Sequence, residues 1–256
     1  MKPSLIATIP YPIAGPKRYS TASQVAMMDF ARTVLGIPAP KVLAYSADQN
    51  NPIASEYVIM ENPRGTMLAD IWQDLSLEEK VEIMKDLISI EKKTFFVSFT
   101  RYGNLYFSSE DIPGAVPAEV TGDVSAEVKD SIRRRFAIGP VVDQDFWKGE
   151  RAEMDIDRGP WKRPQGVVAS VAHREISWLS QHAVPKHYDP SALPSPKPNP
   201  PSDHISLLQR YLEVVPYLLP NNPDVTASHL IRTDLYPGNN FVKDNRISSI
   251  MNRQQT

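Results

Sequence analysis

The stretch that decides the fold is His229-Leu230-Ile231-Arg232-Thr233-Asp234-Leu235-Tyr236-Pro237-Gly238-Asn239, followed by Phe241-Val242 and Ile247-Ser248-Ser249-Ile250-Met251. Asp234 is followed by Leu235 and, five residues after the acid, by Asn239. Pro237 and Gly238 lie between the two polar side chains and tighten the loop. The two apolar runs that follow flank a turn at residues 243–246, the pattern of a β-hairpin. The same residues would also serve an ordinary polar turn, with Asp234 and Asn239 satisfying nearby backbone groups.

Working outward from this loop, Asp203 stands where it can cap a helix with the apolar face Ile205, Leu208, Leu212 and Val215, stopped at Pro216 or Pro220. Residues 184–201 hold seven prolines and predict an extended connector. Pro164 suits the first turn of a helix in which Val168, Val171, Ala172, Ile176 and Leu179 share a face. Between residues 100 and 163 the signals are mixed, with strand-like runs at 102–107 and 136–142 among turn residues.

Nearer the beginning the pattern is sharper. Ser76 and Glu79 have capping-box spacing, and Leu77, Val81, Met84 and Ile88 predict the buried stripe of a helix reaching Phe95. Residues 42–45 and 57–60 read as an antiparallel strand pair, and 5–9 as a further short buried strand. A second capping box, Thr21 with Gln24, predicts a helix whose Val25, Met28, Ala31 and Leu35 fall on one face, stopped by Gly36 and Pro38.

Composition narrows the function classes. With 256 residues and 41% apolar content, the chain can furnish one large domain or two small lobes sharing a cleft. A formal charge of −2 gives no broad pull toward nucleic acid, and the run Arg133-Arg134-Arg135 is expected to be a solvated face. No run approaches the ~20 apolar residues of a membrane span, so membrane insertion is not expected. The absence of cysteine removes disulfides, thiolate zinc sites and thiol nucleophiles. The eleven glycines never form G-x-G, and neither a P-loop, G-x-S-x-G nor H-E-x-x-H occurs. The five histidines are scattered, His182 and His187 being the closest pair. Lys2, Lys17 and Arg18 precede the first acid, Asp29, but Pro3, Pro10, Pro12 and Pro16 do not suit an amphipathic targeting helix.

The spacing of Asp234 and Asn239 suits phosphoryl transfer, which needs a carboxylate at the attacking hydroxyl and an oxygen ligand nearby to hold magnesium against nucleotide phosphates. Further stretches join it. They are Ile6-Ala7-Thr8-Ile9-Pro10, Thr21-Ala22-Ser23-Gln24-Val25-Ala26, Ile37-Pro38-Ala39-Pro40-Lys41-Val42-Leu43, Ser55-Glu56-Tyr57-Val58-Ile59-Met60-Glu61, Arg101-Tyr102-Gly103 and Gly159-Pro160-Trp161. With these, nearly the whole chain resembles the fungal branch of the aminoglycoside/choline kinase-like phosphotransferase family.

That resemblance implies an α+β, protein-kinase-like two-lobe fold, with a truncated small β-rich lobe over residues 1–62 and an incomplete helical lobe over 63–256 carrying the catalytic loop at 232–239. It implies ATP between the lobes, with backbone groups of Met60, Glu61 and Asn62 toward adenine. Asp234 would be the catalytic base, Asn239 and Asn252 would be ligands of Mg2+, and the acceptor would be an unidentified small molecule. A mitochondrial location follows from the family, with the cytoplasm as the alternative.

Departures from the family pattern predict impaired catalysis. Thr8 stands where the family has a phosphate-holding lysine or arginine, Gln24 where it has a helix glutamate, and Asn252 where it has a metal-binding aspartate. Arg232, Tyr236 and Arg253 are further departures. Missing charges at the first two positions would remove both positioning and charge neutralisation. The alternative expectation is a non-catalytic nucleotide-binding or scaffold protein on the same fold.

Overall fold

A computed structural model of the chain describes residues 4–11, 15–95, 97–184, 200–230 and 236–251. In chain order the elements are β1 (Leu5–Thr8), α1 (Tyr19–Thr33), β2 (Val42–Ser46), β3 (Tyr57–Glu61), β4 (Thr66–Met67), α2 (Leu68–Ile71), α3 (Leu77–Thr94), β5 (Ser98–Phe99) and β6 (Asn104–Phe107). There follow β7 (Val116–Pro117), β8 (Val120–Thr121), α4 (Ala126–Arg135), β9 (Phe136–Gly139), α5 (Pro164–His182), α6 (Pro201–Leu218), α7 (Pro223–Thr226), β10 (Ser228–His229), β11 (Asn240–Lys243) and β12 (Arg246–Ile250). The architecture is mixed α+β. Its sheets are small and antiparallel, in the orders β1-β3-β2, β10-β5-β8, β12-β11-β4 and β6-β9-β7.

The first sheet pairs β3 with both neighbours, Ile6 and Val42 lying opposite Met60, and β1, expected to be buried, is instead an edge strand with Leu5 exposed, since only one of its sides meets a neighbour. Its apolar inner face meets α1, whose Val25 and Met28 join Val58 and Met60 in one cluster. The expected face of this helix is buried, but Ala22, Ala26 and Phe30 are buried as well, because the opposite side faces β5, β6 and β9. The largest core cluster runs continuously from α1 through Ile90 of α3 to Leu230 and Ile250.

The start of α1 corrects the sequence reading. The helix begins at Tyr19, ahead of Thr21, and the capping residue Arg18 has φ of 67° and no side-chain cap. A carboxylate from elsewhere does this work: buried Glu56 accepts the Arg18 N–H at 2.9 Å and the Thr21 hydroxyl at 2.5 Å. An anion at the positive end of the helix satisfies orphan donors better than the neutral hydroxyl of a local cap.

Helix α3 carries the expected capping box, Ser76 and Glu79 bonding reciprocally, but it buries a different stripe. Leu77, Val81, Met84 and Ile88 are all exposed, Leu77 by 73%, whereas Ile83 and Ile90 are in the core. The deciding contacts come from the β11–β12 hairpin, whose turn residues Asp244 and Asn245 have the positive φ values that such a turn requires. The Arg246 guanidinium binds Asp86 through two bonds of 2.6 and 2.5 Å, the Ile247 N–H donates to the same carboxylate, and the Asn245 amide donates to Glu79 at 2.9 Å. The Arg246 hydrogen bond holds the Asp86 carboxyl below the usual aspartate range.

Pro164 occupies the first turn of α5 as expected, and Ala172 is buried while Val171 is exposed. The connector expectation falls mostly on residues 185–199, outside the described set, as does His187. Helix α6 opens at Pro201, before Asp203, and continues through Pro216 to Leu218. The strand-like runs at 102–107 and 136–142 pair with each other as β6 and β9. Short elements that the sequence signals left unassigned, β7, β8 and α4, complete this region. Of the basic run, Arg133 lies 3.8 Å from Glu119, and Arg135 pairs with Asp29.

Candidate functional site

Asp234, the predicted base, lies outside the described residues, as do Arg232, Asn252 and Arg253. The structure does place the elements on either side of them.

Upstream, the chain reaches the loop through β10, which pairs with β5, Ser228 opposite Phe99 and His229 opposite Ser98. The His229 Nδ1 lies 3.3 Å from both the Ser98 hydroxyl and the Val97 carbonyl, and its ring packs against Phe95. The Tyr102 hydroxyl donates to the carbonyl of Thr226. Tyr102 is itself fixed by a two-bond bridge to Trp161, each N–H donating to the other's carbonyl at 2.9 Å. Two of the resemblance stretches, around Gly103 and Gly159, therefore form one buttress. Gly103 permits it, since a Cβ there would lie 2.3 Å from the Gly139 carbonyl. Neither stretch carries a role in the sequence alone, and Gly103 and Gly159 are the signal it offers.

Downstream, Asn239 closes a 3-10 turn and is fully buried. Its N–H donates to the Tyr236 carbonyl and its carbonyl accepts the N–H of Met251, both at 2.8 Å. The latter bond holds the chain immediately ahead of position 252 against Asn239. Met251 and Phe241 then pack with Met60, Val58, Val25 and Met28, and with Ile6 and Val42 beside them. Thus Met60 and Met251, remote in sequence, share one apolar cluster, and Met251 is in turn bonded to Asn239.

The segment predicted to face a nucleotide base follows β3. Met60 is in its core. Glu61 is exposed, its carboxylate accepting the Lys41 N–H at 3.2 Å and lying 3.9 Å from the Arg32 guanidinium. The Glu61 N–H donates to the Lys41 carbonyl at 3.0 Å and the Asn62 N–H to the Ser4 carbonyl at 3.1 Å. After Pro63 the chain turns onto the hairpin: the Ser248 hydroxyl donates to the Arg64 carbonyl, and β4 pairs with β11. Gly65, with φ of 99°, lies so close that a Cβ would come within 2.4 Å of the Val242 carbonyl. The chain thus passes within a few residues from β3 of the first sheet to β4 of the sheet that follows the Asn239 turn.

Thr8 and Gln24 are both neutral. The Thr8 hydroxyl donates to the Val58 carbonyl at 3.4 Å, and Gln24 is a neutral, half-buried side chain on α1. Among the described residues no group of three histidines, aspartates or glutamates could hold a metal. Asn239 is a neutral donor. Magnesium favours carboxylates together with substrate phosphates in an octahedral shell, so the described donors fit such an ion poorly.

The chain is similar to a subtelomeric hrmA-associated cluster protein of Aspergillus fumigatus, 35% identical over 91% of this chain and 50% of the relative. It is also similar to proteins named altered inheritance of mitochondria protein 9, mitochondrial. The one from Saccharomyces cerevisiae is 25% identical over 93% of this chain and 42% of its own length. The one from Lachancea thermotolerans is 28% identical over 75% of this chain and 33% of its own. The chain spans half or less of the length of these relatives. No family model matches the chain, and no solved structure matches it.

Proposed function

We propose that this chain is built on the two-lobe plan of the kinase-like small-molecule phosphotransferases and that its catalysis is impaired. On this reading residues 1–62 and 63–256 are the two lobes, ATP binds between them, and the acceptor is the hydroxyl of a small molecule. The observation that carries the reading is that Met60, in the stretch predicted to meet the base, shares one cluster with Met251, whose N–H is bonded to the carbonyl of Asn239 in the turn predicted to meet the phosphates. The β1-β3-β2 sheet with α1 against it, followed by a crossing into a hairpin-bearing unit, supports the same plan.

In this scheme Asp234 would orient and deprotonate the attacking hydroxyl, and Asn239 would lie at the phosphate end. Nothing at Thr8 or Gln24 supplies the charge that would neutralise the transferring group. The weak donor set allows no step to be drawn through magnesium. A mitochondrial setting is proposed from the names of the relatives. Nucleic acid is not the proposed partner, because Arg133 and Arg135 are engaged by Glu119 and Asp29. Among the described residues no helix is long and apolar enough to cross a membrane.

The test is purified protein with ATP, Mg2+ and a panel of hydroxylated metabolites, with thermal shift recorded in parallel. The expected result is a nucleotide-dependent rise in melting temperature with turnover no greater than that of Asp234→Asn. Robust turnover that vanishes in that variant would refute impairment. A melting temperature indifferent to nucleotide would refute the phosphotransferase plan in favour of a scaffold.

A further inference from the structure

We propose that the exposed stripe of α3 is a self-association surface, on which two copies of the chain pair their α3 helices antiparallel about a two-fold axis between Val81 and Met84.

Leu77, Val81, Met84 and Ile88 are between 43 and 73% exposed. Their spacing of four, three and four residues is that of a coiled-coil seam, with Leu77 and Met84 at one of its two core positions and Val81 and Ile88 at the other. The helix cannot roll this stripe inward, because Ile83 and Ile90 are buried and Asp86 is bound by Arg246 on the side that faces the hairpin. Four large apolar side chains in one row on a charged helix form a patch, unlike apolar residues scattered singly over a surface.

The charges beside the seam choose both the occupant and its direction. Placed antiparallel, Leu77 meets Ile88 of the second copy and Val81 meets Met84 of the second copy, each contact occurring twice by symmetry. The same register sets exposed Glu78 beside exposed Lys85 of the second copy, so that two pairs of opposite charge flank the seam on its outer side. On the inner side half-buried Lys80 comes opposite Leu87 of the second copy, and no like charge is opposed. A parallel pairing would instead bring Lys80 toward Lys85 of the second copy on both sides of the seam and repel. Within one chain Lys85 lies 2.7 Å from Glu82, an exposed pair of small worth that leaves the lysine able to change partner. A single helix pair buries less than the ~1,600 Å2 of a standard interface, so a dissociation constant on the order of 10–100 µM is expected.

The experiment is sedimentation equilibrium on the unaltered chain from about 1 to 300 µM, a range that brackets the expected constant, with circular dichroism melting to confirm that each variant is folded. The unaltered chain is expected to pass from monomer to dimer. Met84→Glu places carboxylates in the seam and is expected to weaken the dimer at least about 10-fold. Glu78→Lys and Lys85→Glu each set like charges against one another and are expected to weaken it about 3- to 10-fold, whereas the two reversals together should return it to within about 2-fold of the parent. A chain that stays monomeric throughout overturns the proposal and leaves the stripe to a partner of another kind. A dimer indifferent to Met84→Glu overturns it too, since the interface then lies elsewhere. A double reversal no tighter than the single ones overturns the antiparallel register.

Discussion

The choice of stripe on α3 can be tested by comparing two neighbouring alanine substitutions, Ile83→Ala and Met84→Ala. Ile83 is wholly enclosed, in a cluster with Leu68 and Val242 and beside Trp72 and Leu87, while Met84 is 44% exposed on the stripe that the sequence favoured. Truncating Ile83 removes three buried carbons at about 0.8 kcal/mol each. With the cavity left beneath the hairpin, the cost is about 3 kcal/mol. Truncating Met84 removes atoms that already meet water and should cost below about 1 kcal/mol. In a chain of this length each kcal/mol moves the melting temperature by about 2–4 °C, so Ile83→Ala should melt roughly 6–12 °C lower and Met84→Ala within a few degrees of the parent. Urea titration followed by circular dichroism gives the free energies, and calorimetry gives the melting temperatures. Equal losses for the two variants, or a larger one for Met84→Ala, would show that α3 is rotated from the orientation described and that the hairpin does not dock on Ile83.

Glu56→Ala should destabilise the chain by about 2 kcal/mol, because the Arg18 N–H and the Thr21 hydroxyl lose a charged acceptor at the start of α1; urea titration checks this, and a cost near zero would show that water caps the helix equally well. Gly65→Ala should cost at least ~2 kcal/mol, since the new Cβ cannot avoid the Val242 carbonyl; hydrogen exchange should show the loss centred on β4 and β11, and protection unchanged there would refute the close approach. The pH dependence has a definite sign. Arg246 lowers the folded-state pKa of Asp86, so this contact stabilises the chain above the unfolded value near 4 and is lost as pH falls through the lower folded value. Urea midpoints of the parent and Asp86→Asn should therefore differ at pH 6 and converge in acid, and a constant difference down to pH 2.5 would exclude the linkage.

The parts of the fold legible in the sequence share a short range. The Ser76–Glu79 capping box, the 243–246 turn, the stop at Gly36, and Pro164 in a first turn are each settled within about one turn of chain. Near-neighbour hydrogen bonds and steric limits suffice there. The cap of α1 shows where this fails. Thr21 and Gln24 have the right spacing, yet Glu56, over thirty residues away, displaces them because it brings a full charge. The surroundings of the predicted site were less legible: Met60 and Asn239 are named from local patterns and resemblance, whereas the Met251 N–H to Asn239 carbonyl bond and the cluster that joins Met251 to Met60 exist only in the folded chain.

Alone, the sequence determined the longer helices, the paired strands and the 243–246 turn, though not α4, β7 or β8. Only the tertiary structure decided which side of α3 is buried. The stripe Leu77, Val81, Met84, Ile88 is uniformly apolar, while the stripe Glu79, Ile83, Asp86, Ile90 carries two acids, so burial judged by hydrophobicity favours the first. The hairpin reverses the choice by bringing Arg246 and Asn245 to those acids, across 160 residues in the case of Arg246 and Asp86. A charged group is buried at low cost only when its partner arrives with it, and a partner's arrival is a property of the folded chain, not of the segment that awaits it.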